Sequence, residues 1–171
     1  MDTLPLQFRQ SNLDALLTYA VSNVDGIIQC SPPKKHYQHM LLPSLQSFIT
    51  TMYKRCHLTP TVLIIALIYL DRLKCNLPNQ ARGEFDTHYK LFLAAILLAS
   101  KYIEDHNRLT KSIYRAVAPL YGPRDLAEME RSFLAIVNFN LYVDLDHVHE
   151  YTQERKEFFG LELDLNEKLA L

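Results

Sequence analysis

The chain has no tryptophan and only four glycines in 171 residues, and its three cysteines (Cys30, Cys56, Cys75) show no CxxC spacing. So little glycine argues against a turn-rich β-protein and against phosphate-cradling loops. An odd, scattered set of cysteines is not a disulfide framework. They read as reduced core or surface thiols of an intracellular protein. A charge excess is missing too, because a net charge of -1 offers no footprint for bulk nucleic acid or a membrane surface. The longest uncharged apolar runs, residues 62–70 and 91–100, reach about half a membrane span. The opening residues Met1-Asp2-Thr3-Leu4-Pro5 resemble neither a signal peptide nor a myristoylation site. The expectation is a soluble protein, nuclear and/or cytoplasmic.

What is present is core material. Hydrophobic residues make up 49% of the chain, so disorder is not expected, and one domain of this length buries roughly 70% of its unfolded surface. Apolar positions at helical spacing (Leu13, Leu16, Leu17, Ala20, Val24, Ile27, Ile28) predict a helix over 12–29, capped by Ser11 or Asn12. Pro32-Pro33 then breaks the chain. This places a flanking helix and connector at 1–35, a main domain at 36–143 and a C-terminal helix and tail at 144–171.

Within the main domain the stripe Leu45, Phe48, Ile49, Met52, Tyr53, Cys56 predicts a helix over 43–57. Thr59-Pro60 is a hydroxyl cap followed by proline at the first helical position, opening a helix over 61–75. Its residues 62–70 are apolar on every side, which belongs at the centre of a domain. That β-branched run would also suit a buried strand, but the pattern continues through Asp71-Arg72-Leu73-Lys74 without a turn signal. A loop follows over 76–84, with Pro78, Asn79 and Gly83. Asp86 or Thr87 caps a helix through Ile103, and Thr110 caps one through Ala118. A further helix runs over 124–139 with the stripe Leu126, Met129, Phe133, Ile136, Val137. The last starts at Asp144 or Asp146 and ends at Phe159, with Gly160 as its stop. The fold class is all-α: five helices in the body and one flanking helix on each side.

Catalytic patterns are missing. His36 and His39, and His147 and His149, lie close in sequence but in surface segments, and there is no HExxH, so no metal site is expected. Glu104-Asp105-His106 and Asp146-His147 match no metal-dependent hydrolase or DDxxD pattern. Cys56 and Cys75 sit where helix packing is the simpler account. No cofactor is implied. What stands out is charge within apolar helices: Asp71, Lys101 and Glu130. Asp71 reads as a structural ion pair, with Arg55 and Arg72 as candidate partners. Lys101 ends an otherwise apolar helix, so it either snorkels to water or meets a carboxylate such as Glu130. The pair is either a solvated helix end or a docking handle for another protein.

Three blocks carry a resemblance. Tyr69-Leu70-Asp71-Arg72-Leu73 resembles the "YLDRF" of the second cyclin-box helix. Leu98-Ala99-Ser100-Lys101-Tyr102 resembles the "AASK(Y/F)" that ends the third, and Met129 through Leu141 the "MExxxLxxLxFxL" of the fifth. They occur in order and cover about residues 37–143, so the chain resembles the cyclin family with a single box. Thr59-Pro60 and His88-Tyr89-Lys90 are similar to the phosphate-pathway (P/U-type) group of fungi, plants and protists.

The resemblance implies a non-enzymatic regulatory subunit. It would be a monomer alone and a heterodimer with a cyclin-dependent protein kinase, whose αC helix it holds inward. Lys101 and Glu130 would bond backbone groups flanking that helix, and Tyr102, Leu134, Phe139 and Leu141 would form the apolar floor beneath it. Two departures stand out. The "MRAIL" substrate-docking patch is replaced by Leu41-Leu42-Pro43-Ser44-Leu45, which also removes the arginine that would pair with Asp71. The segment Arg108-Leu109-Thr110-Lys111-Ser112 lacks an asparagine common in the subgroup. The alternative from another class is a cyclin-fold adaptor like the core repeats of general transcription factor IIB. Such adaptors need basic faces for DNA, whereas this chain is slightly acidic and Lys34-Lys35 is a single short basic doublet.

Overall fold

The computed structural model describes residues 10–32, 42–104 and 106–159. Lys34, Lys35, His36, His39, Leu41, Asp105 and Gly160 lie outside these, as does the side chain of Ser11. In chain order the elements are α1 (Gln10–Asp25), β1 (Gln29–Cys30), α2 (Leu45–Arg55), α3 (Pro60–Asn76), β2 (Arg82–Gly83), α4 (Thr87–Ile103), α5 (Arg108–Val117), α6 (Pro123–Ile136), α7 (Leu145–Glu154) and the single turn α8 (Lys156–Phe159). The all-α class holds. No helix among the described residues is long and apolar enough to cross a membrane.

The centre is α3 against α4. Every residue from Val62 to Leu70 and from Phe92 to Ser100 is buried, as all-round apolar helices require. Each large side chain so covered contributes about 2 kcal/mol. α4 packs most extensively on α3 and next on α6, with α2 and α5 also against it. Thr59 caps α3 by accepting from the Val62 N–H at 3.2 Å, with Pro60 at the first position. Ser44 does the same for α2 through the Ser47 N–H at 3.1 Å. Outside this body, α1 packs on α2, α3, α4 and α8, and α7 packs on α3.

Several boundaries differ from the sequence expectation, each for a local reason. α1 starts at Gln10, so Ser11 and Asn12 sit inside it, and it stops at Asp25 rather than at residue 29. Gly26 follows, and the chain turns to pair β1 with β2 in parallel, Gln29 opposite Arg82 and Cys30 opposite Gly83. The expected loop over 76–84 therefore contains a strand. Gly83 is needed there, because a Cβ would lie 2.7 Å from the Thr87 side chain. Asp86 occupies the N-cap position of α4 without a side-chain cap bond; its carboxylate instead accepts from the Tyr121 hydroxyl at 2.9 Å.

α5 begins at Arg108, not after Thr110. Its capping position is Asn107 in the left-handed region (φ 55°), and the Glu104 carboxylate accepts the Leu109 N–H at 3.0 Å, leaving Thr110 buried within the helix. α6 stops at Ile136, not Phe139, because Asn138 and Phe139 are both left-handed (φ 54° and 57°). The last helix is broken at Arg155 into α7 and α8. Of its two expected starts, Asp144 is the cap: its carboxylate accepts the His147 N–H at 2.8 Å and the His147 ring accepts the Asp144 N–H at 3.1 Å.

Candidate functional site

Packing of α4 on α6 brings the two expected charges together. Lys101, in the last turn of α4, donates from Nζ to Glu130 Oε2 of α6 at 2.8 Å. The two partners are unequal. The lysine side chain is 41% exposed and the glutamate only 12%. An ammonium has three donors, and one of them is spent on Glu130. The other oxygen of the carboxylate, Oε1, is closed to solvent and accepts no hydrogen bond from the described residues. An unsatisfied buried oxygen costs about 1–3 kcal/mol, so this pair has bonding capacity left over on both partners.

Tyr102 follows Lys101 and is 43% exposed, while its hydroxyl donates to the Val143 carbonyl at 2.9 Å and accepts the Val143 N–H at 3.1 Å. One phenol therefore fixes both backbone groups of a residue that follows α6. Leu134 and Leu141 are half-buried against the core, and Phe139 is 71% exposed. Ile103 and Tyr142 add exposed apolar surface that the sequence reading had not named. Around Lys101 and the end of α6 the chain thus shows aromatic and aliphatic surface beside a fixed charge.

The exit from α6 explains why Phe139 stands out. The Asn138 N–H bonds the Ala135 carbonyl at 3.2 Å and the Phe139 N–H the Leu134 carbonyl at 2.9 Å, a Schellman closure with Asn138 as its left-handed residue. His57 closes α2 the same way, with Leu58 bonding Tyr53 at 3.0 Å. Asparagine tolerates that conformation, and its presence at 138 was the available sign of a helix stop. Phenylalanine does not tolerate it well, and holding Phe139 there costs roughly 1 kcal/mol or more.

Asp71 proves to be a different kind of charge, and neither expected partner reaches it. Arg55 is exposed on α2. Arg72 turns away, donating to the carbonyls of Asn140 at 2.9 Å and Tyr142 at 2.8 Å. The partner is Arg155, whose guanidinium lies 3.3 Å from Asp71 Oδ2, while Asn23 of α1 donates to Oδ1 at 3.2 Å. Arg155 also donates to the Tyr19 hydroxyl at 2.8 Å and lies over the Tyr151 ring at 3.6 Å. Asp71 therefore ties both flanking segments to α3.

Two more α3 side chains join Arg72 in holding the α6 exit. The Tyr69 hydroxyl donates to the Leu141 carbonyl at 2.8 Å, and Asn76 donates to the Ile136 carbonyl at 2.9 Å. Burial pushes the Tyr69 phenol well up, keeping it a donor. Burial pushes the Cys30 and Cys56 thiols up as well.

Residues 22–142 match the family described as cyclin, N-terminal domain. The chain is 34% identical over 116 residues to PHO85 cyclin-1 of Saccharomyces cerevisiae, covering 68% of this chain and 41% of that protein. It is 31% identical over 119 residues to Cyclin-P2-1 of Oryza sativa subsp. japonica, covering 68% and 53%. It is 32% identical over 111 residues to the PHO85 cyclin-like protein psl1 of Schizosaccharomyces pombe, covering 63% and 44%. The chain thus spans about half the length of the curated relatives it matches. No solved structure matches.

Proposed function

Because the chain belongs to the cyclin family through its N-terminal domain, we propose that it is a regulatory subunit, not an enzyme, that binds and activates a cyclin-dependent protein kinase. Its similarity to relatives named as PHO85 cyclins and as a P-type plant cyclin makes a PHO85-type kinase the partner to test. The docking face is the one built from Lys101, Glu130, Tyr102, Leu134, Phe139 and Leu141. The kinase αC helix lies across it and is held inward, letting the kinase form its own lysine–glutamate pair and orient ATP. The subunit contributes as much as it prefers the active kinase over the inactive one. It is monomeric alone, heterodimeric with the kinase, and works inside the cell.

The observation that carries this reading is the unequal ion pair. Lys101 keeps free donors toward solvent, and Glu130 keeps an oxygen without a donor. A helix end brings what both lack, unpaired carbonyls for the ammonium and unpaired amides for the carboxylate. In the free chain the two groups hold each other. Docking then requires the Glu130 side chain to turn so that Oε1 meets the partner. An aromatic and aliphatic floor around two charged anchors is the usual composition of an interface hot spot.

The test is a binding titration of a PHO85-type kinase with wild type, Lys101→Glu and Glu130→Ala. The expected result is a loss of at least about a hundredfold for Lys101→Glu, roughly 3 kcal/mol, measured on the folded fraction because two carboxylates then face each other. Wild-type affinity in both variants would sink the reading.

A further inference from the structure

The segment between α6 and α7 has no regular structure, yet α3 side chains take up its backbone one group after another. Arg72 donates through Nη1 to the Asn140 carbonyl and through Nη2 to the Tyr142 carbonyl. The carbonyl between them, that of Leu141, accepts from Tyr69. Tyr69 and Arg72 are three apart on α3 and so share one helix face, and the guanidinium reaches back over the Tyr69 ring at 5.9 Å. Asn76, one turn further along α3, holds the Ile136 carbonyl on the near side of the same turn.

Between these pins lie the two consecutive left-handed residues, Asn138 and Phe139. A phenylalanine in that region relaxes unless its surroundings over-determine it. The turn is closed upstream by its own Schellman bonds and by Asn76; downstream the Asn140 N–H bonds the Val137 carbonyl at 3.1 Å and the Leu141 N–H the Phe139 carbonyl at 3.0 Å, and the first group there that a side chain holds is the Asn140 carbonyl on Arg72. A fork with two rigid donors sets the direction of an extended backbone in a way that one flexible ammonium cannot.

We propose that Arg72 is a positioning residue for the docking face: its two bonds to the carbonyls of Asn140 and Tyr142 hold the left-handed turn that presents the Phe139 ring outward. Arg72 thus acts through Phe139, although its own head group is committed to the backbone. This rests on the docking function proposed above. It adds that the arginine of the Tyr69-Leu70-Asp71-Arg72 block serves the interface, while its neighbour Asp71 serves the flanking helices.

A double-mutant cycle tests it, with kinase affinity measured calorimetrically for wild type, Phe139→Ala, Arg72→Ala and the double variant. The expected result is about a tenfold loss for Arg72→Ala in the wild-type background and less than about twofold in the Phe139→Ala background. Arg72→Lys keeps the charge but loses the fork, and is expected to bind about as weakly as Arg72→Ala. Should Arg72→Ala not fold, Arg72→Lys takes its place in the cycle. Amide exchange at residues 138–142 is expected to quicken in the arginine variants while that of α3 stays unchanged. Additive losses, or wild-type affinity in Arg72→Lys, would overturn the proposal. If Lys101→Glu and Phe139→Ala both bind as wild type, the docking function itself falls. If they weaken while Arg72 proves additive or silent, only this inference does.

Discussion

Two ion pairs, both seeded by charges in apolar helices, finish their bonding in opposite ways. Asp71 uses both oxygens inside the chain, one on Arg155 and one on Asn23, and so joins α1 and the α7–α8 break to α3. Glu130 uses one oxygen on Lys101 and leaves the other buried and unbonded, while the lysine keeps donors in solvent. On the docking function proposed above, what separates the two pairs is capacity left over on the charged groups themselves; around Asp71 it falls on a neighbour, Asn23 Oδ1. A closed pair stabilises a fold. On the proposed docking function, a pair with vacancies on both partners takes up a third group.

The largest test of that contrast is a charge exchange. Lys101→Glu combined with Glu130→Lys rebuilds an ion pair between α4 and α6 with the polarity reversed. If the pair only ties two helices, kinase affinity returns with it. The docking function expects affinity to stay about a hundredfold below wild type in a titration, because donors and acceptors now face the wrong ends of the partner. Next comes Asp71→Ala, which takes one partner from Arg155 and the acceptor from the Asn23 amide. The expected cost is about 1–2 kcal/mol in a urea melt, held down because the site is about one-third exposed. Affinity for the kinase, measured on the folded fraction, should remain within about twofold of wild type.

A smaller effect separates strain from packing at the α6 exit. Phe139→Gly removes an exposed ring and relaxes a left-handed residue, while adding freedom to the unfolded chain. These terms nearly cancel, so stability should hold or rise by up to about 1 kcal/mol, while kinase affinity falls about tenfold. Loss of both together would mean that Phe139 works for the fold.

How much of this was legible in the sequence follows from the range of each interaction. The two central helices declared themselves through apolar residues on every side, and Thr59-Pro60 marked one start correctly. The Lys101–Glu130 contact was accessible because one charge at an apolar helix end needs a carboxylate, and the α6 block offered one. The true partner of Asp71 was not, since Arg155 lies 84 positions away and nothing local selects it over Arg72. Arg72 itself is committed to carbonyls 68 and 70 positions away, and carbonyls leave no trace in residue identity. The β1–β2 ledge is two residues long on each side, too short for an alternating pattern. The stop of α6 was readable in Asn138, but the apolar spacing through Phe139 masked it.

The smallest expected effect concerns a charge outside both pairs. Asp144 caps α7, the helix that leads into Arg155, and its carboxyl is held below the usual range. The first cause is the His147 backbone N–H, with the His147 ring and the Tyr142 hydroxyl adding and partial burial opposing. A carboxyl depressed in the folded state contributes stability above its unfolded value, near pH 4, and loses it as pH falls through the lower folded value. The wild type should therefore melt progressively earlier in acid than at pH 6, and Asp144→Asn, which keeps an acceptor at the cap but does not titrate, should show a shallower decline. Because Asp144 lies on the Arg155 side of the comparison, acid should quicken amide exchange in α7 before it does so at the end of α4. Parallel melting curves for the two proteins between about pH 3 and pH 6 would remove the cap from the account of how the flanking helix is held.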